Sequence, residues 1–458
     1  MSMLITTHLE IVLVTLLSLL MAVVVLQQRR SPQSAVAWLL FMIVVPYLAL
    51  PLFLLLGFRK QSGRFAPIVF IPEMAADDSG GPKAARLDHV FHEFGLPAAR
   101  PGHDFTLLAD PLLAHAALST IVETATDSID VLFYIVADDP VGVAFVNALT
   151  RRAQEGVKVR LLLDRFGSLR PPRGAIAGLR AAGGEVRFFS PLIQRPGNGK
   201  LNLRNHRKMV IADGMCVFSG GMNVGQDYLG PKPVPGQWND LGFDLTGPAV
   251  AHFEDVFISD WEVAGGVPDR RPHSGPVPQR GDATVQVVPA GPDLVLDPLH
   301  DGLVQSIHAA RKRVWVVTPY FLPTELLGNA LTIAARRGVD VRIVLPRKSN
   351  QRLADFARGA YLREMEDAGC KVLLWQPGMI HAKAGLIDDV AFVGSANFDV
   401  RSMLLNFEVD LFVYDVRSVA TLESWFLDLL PDCKAGVPRA SFIRRLAEGV
   451  FRLGAPVL

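Results

Sequence analysis

Two octapeptides decide the fold: Gly156-Val157-Lys158-Val159-Arg160-Leu161-Leu162-Leu163 and Gly338-Val339-Asp340-Val341-Arg342-Ile343-Val344-Leu345. Each leaves a glycine turn and runs into a near-continuous apolar stretch, the pattern of a strand buried on both faces. Upstream of the first, Ser128 to Ile135 is apolar and partly β-branched, and Val141 to Gln154 has helical spacing. Upstream of the second, Val314 to Val317 and Leu326 to Arg337 repeat that order. Strand–helix–strand alternation predicts an α/β fold with mixed or parallel sheets flanked by helices. Its recurrence predicts a duplicated chain with two pseudo-twofold lobes. The lobes are expected over residues 104–263 and 284–458. A linker over 264–283 (Gly265, Gly266, Pro268, Pro272, Pro276, Pro278) separates them, and an Ala/Gly/Pro-rich connector over 61–103 precedes them. Two facing lobes would place a site at their junction.

Beyond each octapeptide lies the same constellation of reactive residues. The first copy is His206-x-Lys208, then Asp213, then Gly220-Gly221-Met222-Asn223; the second is His381-x-Lys383, then Asp388, then Gly394-Ser395-Ala396-Asn397. The chain has only 11 histidines, so one chance match to H-x-K-x4-D is expected roughly 0.02 times. Val210-Ile211 and Leu386-Ile387 mark strands, so His and Lys two residues apart point to the same face. Asp213-Gly214 signals a hairpin that returns the chain towards Asn223. Each half then offers an imidazole, an ammonium and a carboxamide. Imidazole serves as nucleophile or general acid/base, while Lys and Asn donate to an anion's oxygens. Asp213 and Asp388 complete the catalytic motif, but their register, opposite the face that carries His and Lys, suits a structural partner. Two such clusters converging would set imidazoles on opposite sides of one phosphate, one attacking and the other protonating the leaving oxygen. No carboxylate cluster suited to Mg²⁺ and no nucleotide-binding glycine loop is legible, so the expectation is chemistry without metal or cofactor.

The N-terminus is of another kind. From Ile11 to Leu26 no residue is charged, and Ala35 to Gly57 is a second uncharged run. The second run would reach roughly 34 Å as a helix, enough to cross a hydrocarbon core of about 30 Å. Residues 1–60 therefore predict a transmembrane hairpin, with Pro46 and Pro51 as kinks. Arg59, Lys60 and Arg64 against Arg29 and Arg30 lean towards a cytoplasmic catalytic part. The 46 basic and 45 acidic residues leave a net charge of +1, which argues against a nucleic-acid partner. Cys216, Cys370 and Cys433 are too scattered for a disulfide framework or a zinc site and read as buried reduced thiols.

Paired H-x-K-x4-D with trailing G-x-x-N resembles the phospholipase D superfamily. Further stretches resemble its bacterial cardiolipin synthases: Asn205-His206-Arg207-Lys208, Trp238-Asn239-Asp240, Asp260-Trp261, Thr318-Pro319-Tyr320-Phe321, Asn397-Phe398-Asp399-Val400-Arg401-Ser402, Asn406-Phe407-Glu408 and Arg444-Arg445-Leu446. The resemblance runs from about Leu9 to Leu458. It implies phosphatidyl transfer between two phosphatidylglycerol molecules, giving cardiolipin and glycerol through a phosphohistidine. By the same analogy His206 is the nucleophile and His381 the acid and then base, an order the pseudo-symmetry leaves open. Asn223, Asn397 and Ser395 would bind the phosphate, and Asp240 and Glu408 would orient the imidazoles. The setting implied is multi-pass in the bacterial inner membrane, with phospholipids as substrates. Another phosphatidyltransferase or a phospholipid hydrolase would share every one of these residues. The halves also differ: Gly221 stands where the second copy has Ser395, and the second hairpin is one residue shorter. Tyr134 and Tyr320, at matching strand ends, suit either a lipid entrance or the core.

Overall fold

A computed structural model describes residues 2–28, 32–57, 65–70, 86–189, 203–269 and 279–453. It divides into an N-terminal unit and a catalytic-sized unit from Ala66 onward, which excludes 190–203.

In the N-terminal unit, α1 (Ser2–Gln27) carries a 20-residue apolar segment, His8–Gln27, with mean hydropathy 2.8. Among the described residues it is the one helix long and apolar enough to cross a membrane. The second apolar run is not one helix. It divides into α2 (Pro32–Val44) and α3 (Pro46–Leu56). Proline disfavours helical backbone in the residue before it, and Val45 accordingly leaves the helix at φ −139°, ψ 63°. Pro51 is accommodated inside α3. At about 1.5 Å per residue neither piece alone spans a bilayer. The three helices pack through Val25, Met42, Ala49 and Phe53, with Trp38 edge-on to Phe53 at 5.1 Å. The basic residues that bear on orientation lie outside the described residues.

The second unit opens with α4 (Arg86–Glu93) and β1 (Arg100–Leu108). The first lobe continues as α5 (Pro111–Thr124), β2 (Ser128–Phe133), α6 (Pro140–Gln154), β3 (Lys158–Asp164), α7 (Arg173–Ala181), β4 (Glu185–Phe189), β5 (Met209–Ala212), β6 (Cys216–Gly220), β7 (Gly242–Thr246) and α8 (Val250–Val263). The second repeats it as β8 (Ala283–Ala290), α9 (Pro298–Ala309), β9 (Arg313–Val317), β10 (Phe321–Leu322), α10 (Glu325–Arg336), β11 (Asp340–Pro346), α11 (Arg352–Asp367), β12 (Lys371–Trp375), β13 (Ala384–Ile387), β14 (Val390–Gly394), β15 (Phe398–Asp399), α12 (Val400–Leu404), β16 (Glu408–Val413) and α13 (Val416–Leu429). Short β17 (Cys433–Ala435) and α14 (Phe442–Leu453) follow.

The duplication is visible in the strand order. The first half runs β1-β7-β6-β5-β2-β3-β4, and the second runs β8-β16-β14-β13-β9-β11-β12 with β17 added at its edge. β1 and β8 pair antiparallel and fuse the halves into one 15-stranded sheet. Within each half of this sheet, β2-β3-β4 and β9-β11-β12 are parallel and the remaining strands antiparallel, while β10 and β15 pair parallel in a separate two-stranded sheet. The glycine-led octapeptides become β3 and β11, buried by helices as their unbroken apolar runs require. Asp110, Asp139 and Thr324 cap the first turns of α5, α6 and α10 through their side-chain oxygens.

One expected boundary moves. β1 straddles residue 103, so the connector already contributes to the sheet. Its helix α4 belongs to the second lobe's core: Leu87, Phe91 and Leu96 pack there, with Phe91 edge-on to Phe412 at 4.8 Å. An eight-residue amphipathic helix cannot stand alone and takes the nearest apolar face. Cys370 is buried, and Cys216 and Cys433 are half-buried, all as free thiols.

Candidate active site

The paired motifs occupy the junction of the lobes. His206 and Lys208 lead into β5, and His381 and Lys383 lead into β13. The sheet brings them together by a reciprocal exchange of backbone bonds. The His206 amide donates to Phe407 O at 2.8 Å, and the Phe407 amide donates to Arg204 O at 2.9 Å. Across the pseudo-twofold, the His381 amide donates to Asn239 O at 2.6 Å, and the Asn239 amide donates to Met379 O at 2.9 Å. Each motif is thus laced to the stretch of the other lobe that delivers a carboxylate.

Those carboxylates are exchanged between lobes. His206 Nδ1 meets Glu408 Oε2 at 2.9 Å, and His381 Nδ1 meets Asp240 Oδ2 at 2.6 Å. A carboxylate accepts only, so Nδ1 carries the proton and Nε2 holds the lone pair. Burial, aided by each histidine's own motif lysine, lowers both imidazole pKa values against the pull of the carboxylates; His381 falls to about 3. Glu408 and Asp240 lie below the usual carboxylate range although burial opposes ionisation, because the facing imidazoles and lysines stabilise their charge. At neutral pH the site therefore holds two neutral imidazoles, each on an ionised carboxylate.

Both lysines are buried, and Nζ of each donates to the carbonyl of its own motif histidine. Burial lowers Lys208 to about 7 and Lys383 to about 8, partly offset by Glu408 and Asp240. Lys383 Nζ also lies 2.8 Å from His381 Nδ1 and 3.0 Å from its Nε2. His206 Nε2 makes no hydrogen bond among the described residues. Tyr134 packs edge-on against the His206 ring at 4.9 Å, and Tyr228 and Trp238 pack against His381 at 5.4 and 5.2 Å. Tyr320 instead hydrogen-bonds Asn350.

Several expectations need correction. Asp213 and Asp388, catalytic members by motif, do not join the site. They sit in the hairpin turns at φ 54° and 50°. Asp213 accepts the amides of Thr126, Asp127 and Ser128, and Asp388 those of Arg311, Lys312 and Arg313. Each fastens its hairpin to the start of the lobe's first parallel strand. The shorter second turn leaves this unchanged, because the aspartate precedes the deletion. Ser395 is not placed as a phosphate donor: its hydroxyl donates to Glu408 Oε2 at 2.6 Å and accepts the Val409 amide. Its counterpart Gly221 is small for a steric reason, since a Cβ there would stand 2.4 Å from Asp240 Oδ1. Asn223 Oδ1 accepts the Ile135 amide at 3.1 Å. Asn397 Oδ1 is buried with no partner among the described residues.

One member of the site was present in the motif without a legible role. Arg207 is fully buried between the lobes. It donates to Asp260 at 2.8 Å, Asp293 at 2.9 Å, Glu408 O at 3.0 Å and Ala290 O at 3.1 Å. Its side chain points away from Lys208's by strand alternation, and so fixes the segment that carries His206 and Lys208.

Comparisons with known proteins identify the family. Residues 118–261 and 303–430 match the cardiolipin synthase, PLD-like domain family, and residues 16–57 match the phospholipase D-nuclease N-terminal family. The major cardiolipin synthase of Bacillus subtilis (strain 168) is 34% identical over 97% of this chain and 98% of its own length. A cardiolipin synthase of Listeria welshimeri is 32% identical over 98% and 99%. Among solved structures, phosphatidylserine synthase of Haemophilus influenzae Rd KW20 aligns with TM-score 0.61 at 16% identity, covering 82% of this chain and all of its own, a likeness of fold. With both halves matched and near full-length relatives above 30% identity, the chain belongs to the cardiolipin synthase family of phospholipase D-like proteins.

Proposed function

We propose that the protein is a phosphatidyltransferase that joins two phosphatidylglycerol molecules into cardiolipin and releases glycerol. The observation that carries the reading is the pair of neutral imidazoles, each backed by a carboxylate from the other lobe and accompanied by a buried lysine. His206 Nε2 attacks the phosphorus of the first lipid, and the bond to the headgroup glycerol oxygen breaks. At neutral pH Lys383 holds the proton that His381 lacks, 3.0 Å from its Nε2. That proton passes through His381 to the leaving alkoxide. The second lipid's terminal hydroxyl then gives its proton through His381 back to Lys383 and attacks phosphorus, and the P–N bond to His206 breaks. Lys208 stabilises the equatorial oxygens throughout, and Lys383 does so while it holds its proton, with Asn397 as a further polar contact. One phosphodiester replaces another, so the balance requires no activated nucleotide.

The substrates are lipids, and the apolar N-terminus fits that setting. α1 would cross the bacterial cell membrane, and α2 with α3 would return as one bent segment, leaving the two lobes on the cytoplasmic side. A site at the surface must still exclude water, because hydrolysis of the phosphoenzyme gives phosphatidic acid.

The test is product analysis. The solubilised protein is incubated with phosphatidylglycerol alone, with chelator and without nucleotide, and the lipids are resolved by mass. Cardiolipin and glycerol in equal amounts are expected. Phosphatidic acid alone would make the protein a hydrolase, and no product would remove the reading.

A further inference from the structure

A surface helix of a globular protein turns its apolar stripe to the core and its charges to water. α14 does the reverse. Ser441 starts it by accepting the Arg444 amide at 3.4 Å, and the helix packs on α11. The face that docks is the polar one. Glu448, the single acid of α14, is fully buried and pairs with Arg363 of α11 and, at 2.9 Å, with Arg444 one turn earlier. Gly359 of α11 makes room for this carboxylate, since a Cβ there would stand 2.6 Å from Glu448 Oε1. The Arg444 guanidinium lies 5.8 Å over the ring of Phe356, also on α11. A buried carboxylate is kept by such partners, so they fix which side of α14 faces the protein. At about 100° per residue, Phe442, Ile443 and Leu446 lie roughly 120–160° round the helix from Glu448. They are 80, 77 and 63% exposed.

We propose that α14 lies in the plane of an anionic bilayer surface, with Phe442, Ile443 and Leu446 inserted at the headgroup boundary and Arg439 and Arg445 against lipid phosphates. Contiguous exposed apolar side chains of this size mark a surface that something covers. Two observations favour lipid over protein as the cover. Arg439, Arg444, Arg445 and Arg452 stand against the one acid Glu448 over residues 439–458, and Arg439 and Arg445 are exposed, a charge that matches anionic headgroups. The chain also carries in α1 a segment long and apolar enough to cross a membrane, so a bilayer is at hand. An apolar face flanked by arginines is the pattern of a helix that lies in the interface, its apolar side roughly 5–10 Å deep. Because Glu448 fixes the roll of the helix on α11, insertion of α14 orients the lobe that carries α11 to the membrane surface. This placement does not depend on which reaction the site performs.

The test is a photocrosslink from full-length protein in vesicles. Leu446→benzoylphenylalanine places the probe on the exposed stripe, and an unchanged thermal midpoint reports that the variant is folded. In vesicles of equal phosphatidylglycerol and phosphatidylcholine, irradiation should give protein–lipid adducts, resolved by mass. Adding Arg445→Gln should lower their yield about fivefold, the effect of one basic side chain at an anionic surface. Vesicles of phosphatidylcholine alone should lower it further. Protein–protein adducts in place of lipid adducts would overturn the proposal and make the stripe an interface between copies. Absence of any adduct would leave the stripe in water and overturn it as well. An equal lipid yield in neutral vesicles and in the Arg445→Gln variant would remove the anionic surface from the proposal and so overturn it.

Discussion

Around His206 the surroundings are polar: Glu408 receives Ser395 and Asn406 as well as the imidazole. Around His381 they are aromatic: Asp240 receives the imidazole and its own neighbour's amide, and Tyr228 and Trp238 wall the ring. Duplication supplied two equal acid/base groups, and divergence left one with an unencumbered Nε2 and the other with a lysine at 3.0 Å. A two-step transfer requires that difference, because a nucleophile needs a free lone pair and an acid needs a proton supply.

The largest effects should come from the imidazoles. His206→Ala and His381→Ala are each expected to lower transfer by at least about 10³-fold without loss of folding. Peptide mapping of acid-sensitive phosphoenzyme, quenched during turnover, should locate the modification at residue 206. Mapping to residue 381 would reverse the roles of the two sides.

Next comes the clamp beneath them. Arg207→Met strands Asp260 and Asp293 in the interior, and breaking a buried charge cluster on one side costs about 3–5 kcal/mol. The thermal midpoint should fall clearly. An unchanged midpoint would mean that the junction is held by the backbone exchange alone.

The carboxylates sharpen the comparison. Glu408→Gln and Asp240→Asn should each lower kcat by about 10²-fold by analogy with other imidazole-orienting carboxylates. Glu408→Gln should be the more severe, since Ser395 and Asn406 also depend on it. Equal losses would mean that the extra polar contacts around Glu408 are idle.

The smallest effect is in pH. The lysines bind the anion as ammonium ions, so kcat/KM should fall as pH rises through about 7 to 8, where Lys208 and Lys383 titrate. On the acid side His381 stays neutral down to about 3, so no loss of that group is expected near pH 6. Lys383→Arg should move the alkaline limb upward. A profile unchanged by that substitution would assign the limb elsewhere.

Much of this was legible in the sequence. The paired octapeptides specify β3 and β11 because a strand covered on both faces cannot carry alternating polarity. His-x-Lys specifies two groups on one face because side chains alternate along a strand. These are local rules, and the chain states them locally. The division of the second apolar run at Val45 was also within reach, since Pro46 constrains its predecessor; its length as a single span concealed it.

What only the tertiary structure decided are pairings between distant segments. Glu408 serves His206 and Asp240 serves His381, across 202 and 141 residues, because each motif strand is laced to the opposite lobe. Ser395 turns to Glu408 rather than outward, and Gly221 is small because Asp240 lies against it. The aspartates close hairpins at the far end of the strands from the imidazoles. Spacing along a chain fixes which side chains share a face; which face meets it from another lobe depends on packing that no single segment encodes.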